Sequence, residues 1–146
     1  MDSRNNMRAL LVAAAMGLSG CGTSIEPTQA DLKDRWETAN VPPAAYRGDI
    51  VAFMRTYLND PTNVRNAQIA PPTLKRVIGD PGDRFVACVR FNARDTAGKY
   101  PGPKTGAATF YNGKLDRFLD QPREVRSLCG EGIAFEPFPE LERIHR

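Results

Sequence analysis

The sequence predicts an α+β fold: one N-terminal amphipathic helix packed on a small antiparallel sheet of three to five strands and braced by a disulfide. Three observations carry that expectation. Tyr46, Ile50, Phe53, Met54, Tyr57 and Leu58 recur at helical spacing, which places them on one face. Residues 84–92 alternate in the two-residue period of a strand. Asn112-Gly113 separates two short runs and is a strong hairpin signal, because both central positions of such a turn take positive φ. The chain has 146 residues with 12 glycines and 12 prolines, which suits a single core interrupted by many turns.

In chain order, the first element is a leader. Arg4 and Arg8 precede an uncharged apolar run, Ala9 to Leu18, and Ser19-Gly20-Cys21 follows directly. About ten residues at helical rise span roughly 15 Å, half of the ~30 Å that a bilayer core requires. The run therefore suits a cleavable leader and not a transmembrane helix. Met7 is an alternative start that keeps Arg8 ahead of the run. Leu18-Ser19-Gly20-Cys21 resembles the lipobox of bacterial lipoproteins. The resemblance implies cleavage before Cys21, diacylation of its sulfur and membrane attachment through the lipid. Gly22, in place of Asp, implies sorting to the periplasmic face of the outer membrane. The competing explanations are an ordinary secretory peptide with an accidental cysteine at the cleavage site, or a buried apolar helix. Residues 1–20 are thus expected as a signal peptide, 21–45 as a lipidated tether containing at most a short helical piece, and 46–146 as a single α+β domain. Trp36, within the tether, is expected to dock on that domain, with docking on a partner as the alternative.

The helix from Tyr46 should end at Asn59-Asp60-Pro61, since the residue before proline disfavours helical ψ. Residues 64–69 and 73–78 are weak strand candidates on either side of Pro71-Pro72, and Asp80-Pro81-Gly82-Asp83 is a turn. In the strand 84–92, Phe85, Ala87, Val89 and Phe91 should face the helix, with Cys88 on the other side. Residues 105–111 and 114–119 form the hairpin, with Phe110 opposite Leu115 and Tyr111 opposite Lys114. A short helical turn is expected from Gln121 to Arg126. Pro137 and Pro139 predict an irregular tail pinned by Phe135, Phe138 and Leu141.

With Cys21 taking lipid, the two remaining cysteines are Cys88 and Cys129, and a disulfide between them is expected in an oxidising compartment. The alternative is two separate buried thiols. A net charge of +3, evenly mixed along the chain, argues against nucleic acid as a partner. Metal binding lacks ligands: His145 is the one histidine, and no Cys-x-x-Cys pair occurs. No phosphate-cradling glycine motif or cofactor signature is present.

Leu58-Asn59-Asp60-Pro61, the segment from Val86 to Arg94, and Gly98-Lys99-Tyr100-Pro101-Gly102 together resemble an uncharacterised family of small bacterial envelope proteins. In that family a helix ends in Leu-x-Asp-Pro, and a cysteine-bearing strand with an Asn-Ala pair precedes a Gly-x-Tyr-x-Gly loop. The resemblance covers roughly residues 46–111 and implies a fold and a compartment but no activity. Asp95-Thr96-Ala97 departs from the family's loop and puts a shared ligand in doubt.

The long connection from Ala93 to Lys104 is the candidate binding element, since long loops are often functional. Arg90, Asn92, Arg94, Lys99 and Tyr100 would form a cationic, hydrogen-bonding patch for an anionic glycan, a peptide carboxylate or a lipid headgroup. The plainer reading carries more weight: a solvated loop shaped by its glycines and prolines, with Tyr100 tucked onto the sheet. Asp116, Asp120, Glu131, Glu136 and Glu140 are carboxylates with no sequence signal of convergence. The expectation is a non-catalytic, lipid-anchored envelope module whose partner is a cell-wall component or envelope protein. An inhibitor of a cell-wall hydrolase such as lysozyme is the alternative, and a carboxylate-based hydrolase ranks third.

Overall fold

The computed structural model describes residues 28–39, 41–80 and 82–145. The leader, the lipobox and Cys21 lie outside the described residues. A helix, α1 (Gln29–Ala39), occupies the stretch expected as tether, and Trp36 keeps 62% of its surface exposed. The helix expected from Tyr46 follows as α2 (Tyr46–Tyr57), so it is the second described helix and not the first. Its Ile50 and Met54 are fully buried. Leu58 closes it in an extended conformation, ψ 140°, and the chain enters strand β1 (Asp60–Arg76) almost at once.

Strand β1 corrects the expectation of two separate strands. It runs unbroken through Pro71-Pro72 because the ladder to the next strand, β2 (Asp83–Arg94), shifts register between Ala70 and Thr73. Prolines at such an irregularity forfeit no regular ladder bond. A second shift, between Arg65 and Gln68, accommodates Asn66 at φ 52°, a left-handed conformation that asparagine tolerates better than most residues. Strands β3 (Lys104–Tyr111) and β4 (Lys114–Leu119) form the expected hairpin. Phe110 lies opposite Leu115 and Tyr111 opposite Lys114, with Asn112 and Gly113 at φ 50° and 71°.

Beyond the hairpin lie α3 (Pro122–Leu128), a two-residue strand β5 (Glu136–Pro137) and a single turn, α4 (Pro139–Glu142). The tail is therefore more ordered than its prolines suggest. Pro137 sits on a sheet edge and Pro139 in the first helical turn, the two settings where a missing N–H costs least. All pairings are antiparallel, and the five-stranded order is β4-β3-β2-β1-β5.

Both faces of this sheet are buried. On one, Ala87, Val89 and Phe91 pack with Ile50 and Met54 of α2, Ala108 and Phe110 of β3, and Phe138, Leu141 and Ile144 of the tail. On the other, Val86 and Cys88 pack with Ala70, Ala107 and the α3 residues Val125 and Leu128. Cys88 and Cys129 are joined in a disulfide across a Cα–Cα distance of 5.7 Å, and α3 is thereby fastened to the central strand. Among the described residues no helix is long and apolar enough to cross a membrane.

Closing a loop with a sequence separation of 41 should lower the entropy of the unfolded chain by an amount equivalent to about 4 kcal/mol. Replacing both Cys88 and Cys129 by Ala is expected to destabilise the protein by roughly 2–4 kcal/mol in urea titrations. An unchanged midpoint would show that core packing alone holds α3.

Candidate functional site

The α2–β1 junction and the β2–β3 connection meet in space. At the α2–β1 junction, Asp60 accepts hydrogen bonds from the Thr62 hydroxyl (2.7 Å) and backbone N–H (3.1 Å) and from the Asn63 amide (3.1 Å). The side-chain bonds from Thr62 and then Asn63 hold its carboxyl below the ordinary value, and Arg94 at 3.6 Å adds to the effect. From the β2–β3 connection, the Tyr100 hydroxyl donates to the Asn63 carbonyl at 2.8 Å. The Asn59 amide donates to the Asp95 carbonyl at 3.1 Å. Arg65 and Arg94 lie over the Tyr100 ring, 4.0 and 5.4 Å from its centroid.

Inside the connection, the Asp95 carboxylate accepts the Ala97 and Lys99 N–H groups at 2.9 and 2.8 Å, and Gly98 takes φ 74°. The Asn92 side chain accepts the Gly102 N–H at 3.3 Å. The loop is thus tied down at both its flanks and its middle, and Tyr100 is tucked against the start of β1.

This arrangement distributes the residues expected to form a cationic patch. Arg94 and Tyr100 are brought together, and Asn92 serves the loop's own backbone. Arg90 lies over the Phe135 ring at 4.2 Å and so engages the C-terminal segment. Lys99 is exposed. Of the acids, Glu136 and Glu140 converge on Arg47, whereas Asp116 pairs with Arg117 and Asp120 accepts from the Tyr57 hydroxyl. Among the described residues no group of three His, Cys, Asp or Glu side chains could hold a metal.

The concave surface lies beside the tied loop. One hollow of about 300 Å³ is bounded by the end of α2 and the β2–β3 connection, with Arg94 and Asp95 on its rim. A second, of about 430 Å³, lies between the end of α2 and α3, and includes Gly106, Phe118, Asp120 and Arg126. Tyr57, Phe91 and Lys104 line both, so the two hollows form one groove. Volumes of this size fall within the range of small-molecule sites.

An aromatic group forms one wall. Tyr57 and Phe118 have ring centroids 5.1 Å apart, and Phe53 packs on both at 5.2 and 5.5 Å. Phe118 can lie there only because residue 106 is glycine, since a Cβ at Gly106 would sit 2.2 Å from its Cζ. An isolated glycine inside a strand pattern is a sequence signal that could have pointed to this close approach. Tyr57 and Phe118 otherwise read as ordinary core residues, and Lys104 and Arg126 as ordinary surface cations.

Tyr57 is set apart chemically. Burial, then its hydrogen bond to Asp120 at 2.7 Å, pushes its phenol up to about 12.

No protein-family model matches the chain, and no curated protein or solved structure is measurably similar to it.

Because the folded state retains the Tyr57 proton that the unfolded chain loses near pH 10, its stabilising contribution is complete below pH 10 and is lost between about 10 and 12. In ultraviolet titration of the phenols, Tyr57→Phe should remove a component titrating near 12, and Asp120→Asn should lower that component. An identical titration curve for Tyr57→Phe would refute this placement of the ring. Gly106→Ala is expected to displace Phe118 and cost about 1–3 kcal/mol, read as a lowered urea midpoint.

Proposed function

We propose that the protein is a non-catalytic, lipid-anchored binding module of the bacterial cell envelope, held on the periplasmic face of the outer membrane, with the groove at Tyr57 and Lys104 as its ligand surface. One observation carries the reading. Cys88 and Cys129 are bonded to each other, so the third cysteine is the one that ends Leu18-Ser19-Gly20-Cys21. Structural disulfides persist in oxidising compartments, which fits export, and the lipobox resemblance supplies the chemistry for the remaining thiol. The resemblance to small envelope proteins points the same way.

A binding role is favoured over catalysis by the fate of the polar groups. In the groove, the Asp120 carboxylate accepts a phenol proton that stays in place up to about pH 12, and Asp95 caps its own loop. Both carboxylates are thus committed to contacts within the protein. The cations Lys104 and Arg126 line the groove without an ion-pair partner among the described residues. Such groups hold an anion more readily than they transform one.

The test is the chemistry of the N-terminus. The full chain, expressed in a Gram-negative host and extracted from membranes, should yield a mature N-terminal peptide beginning at Cys21 and carrying acyl groups by mass spectrometry. Cys21→Ser should abolish acylation and release the protein from the membrane fraction. A chain that retains its leader and carries a bare Cys21 thiol in the soluble fraction would overturn the proposal.

A further inference from the structure

We propose that the groove binds a carboxylate-bearing oligosaccharide, with sugar rings lying along the Tyr57–Phe118 wall and acid groups held by Lys104 and Arg126. This inference rests on the reading of the groove as a ligand surface and assigns the class of ligand. Lys104 stands where the two hollows join, so it meets a ligand that occupies either one. Arg126 lies on the α3 side, whereas Arg94, on the loop side, is paired with Asp60.

Two acids, Asp120 and Asp95, line the groove beside these cations. Asp120 is hydrogen-bonded by Tyr57, and Asp95 by two backbone N–H groups. Neither Asp120 nor Asp95 lies within ion-pair distance of Lys104 or Arg126, so both cations keep their donors for a ligand carboxylate through charge-assisted hydrogen bonds.

The aromatic wall narrows the ligand further. Tyr57 is 40% exposed, and its hydroxyl is fixed by Asp120, so its ring is retained in the lining of the groove. A ring held this way offers a flat apolar surface while leaving solvent in reach of anything above it. A pyranose matches that environment, because its C–H face packs on an aromatic ring while its hydroxyls stay in water. An acyl chain fits less well, since it would leave much of its surface wet in a groove that is open along its length. Two hollows sharing three residues give room for more than one sugar ring in sequence.

The experiment is calorimetric titration of the full-length protein in non-ionic detergent with tetragalacturonate, compared with neutral maltotetraose and with inorganic triphosphate. Tetragalacturonate should bind and maltotetraose should not, with affinity falling as salt is raised. Lys104→Gln combined with Arg126→Gln should weaken binding at least about tenfold, whereas the exposed pair Lys99→Gln and Lys114→Gln should leave it unchanged. Unchanged urea midpoints in both double variants verify that folding is intact. No binding of tetragalacturonate, equal binding of maltotetraose, tighter binding of triphosphate, or an equal loss in the two double variants would each overturn the assignment. Failure here with acylated Cys21 removes only the ligand class. Binding here with an unmodified Cys21 would instead remove the envelope reading and leave the groove.

Discussion

Strand β2 has no face left for solvent along its middle, and the rest of the structure is arranged around that constraint. Val86, Ala87, Cys88 and Val89 are consecutive and all buried, so neighbouring residues must be covered from opposite sides. The sheet cannot be a half-solvated antiparallel layer of the ordinary kind. Helix α2 and the folded-back tail meet Ala87 and Val89, while α3 meets Val86 and Cys88. The second layer is thin, because α3 has only seven residues, and such a short helix has little cooperativity of its own. The Cys88–Cys129 bond compensates by attaching the end of α3 directly to the strand it covers.

The parts of this fold governed by local physics were legible in the sequence. The helix from Tyr46 follows from its apolar period, and the β3–β4 hairpin from the positive φ that Asn112-Gly113 tolerates. Cys88 falls on the face opposite Ala87 because strands alternate, which is also why it can reach Cys129. What escaped local reasoning depended on distant partners. Pro71-Pro72 looked like an interruption, yet a register shift against β2 lets one strand run through it. Glu136–Pro137 became a strand only because β1 has an edge free to receive it at Gln68 and Ile69. No pattern near residue 136 encodes that edge.

The candidate site divides in the same way. The loop flagged for its length and polar residues is internally satisfied: Tyr100 reaches Asn63, Asn59 reaches Asp95, and Arg94 lies beside Asp60. The segments around Asn59 and Tyr100 thus brace each other, since Asn59 donates to Asp95 at the start of the loop and Tyr100 donates to Asn63 at the start of β1. Their polarity reads as a ligand patch in one dimension and as a clamp in three. The groove, in contrast, gathers Tyr57, Lys104, Phe118 and Arg126 from four separate elements, and only the lone Gly106 within a strand pattern could have hinted at it.

Clamp and disulfide then divide the work of shaping that groove. The loop wall near Arg94 and Asp95 is fixed to the α2–β1 junction by hydrogen bonds, so its position follows that of α2. The opposite wall near Arg126 belongs to α3, whose C-terminal cap is Cys129 itself. Gly130 completes this closure, because a Cβ there would lie 2.7 Å from the Arg126 carbonyl oxygen. Arg126 is thereby held within one helical turn of a covalent link to β2, while Tyr57 is held by packing on Phe118 and by Asp120. The charged wall owes its placement to the oxidised thiol pair and the aromatic wall to the core. A surface assembled from such distant parts of the chain takes form only after both layers have closed over β2.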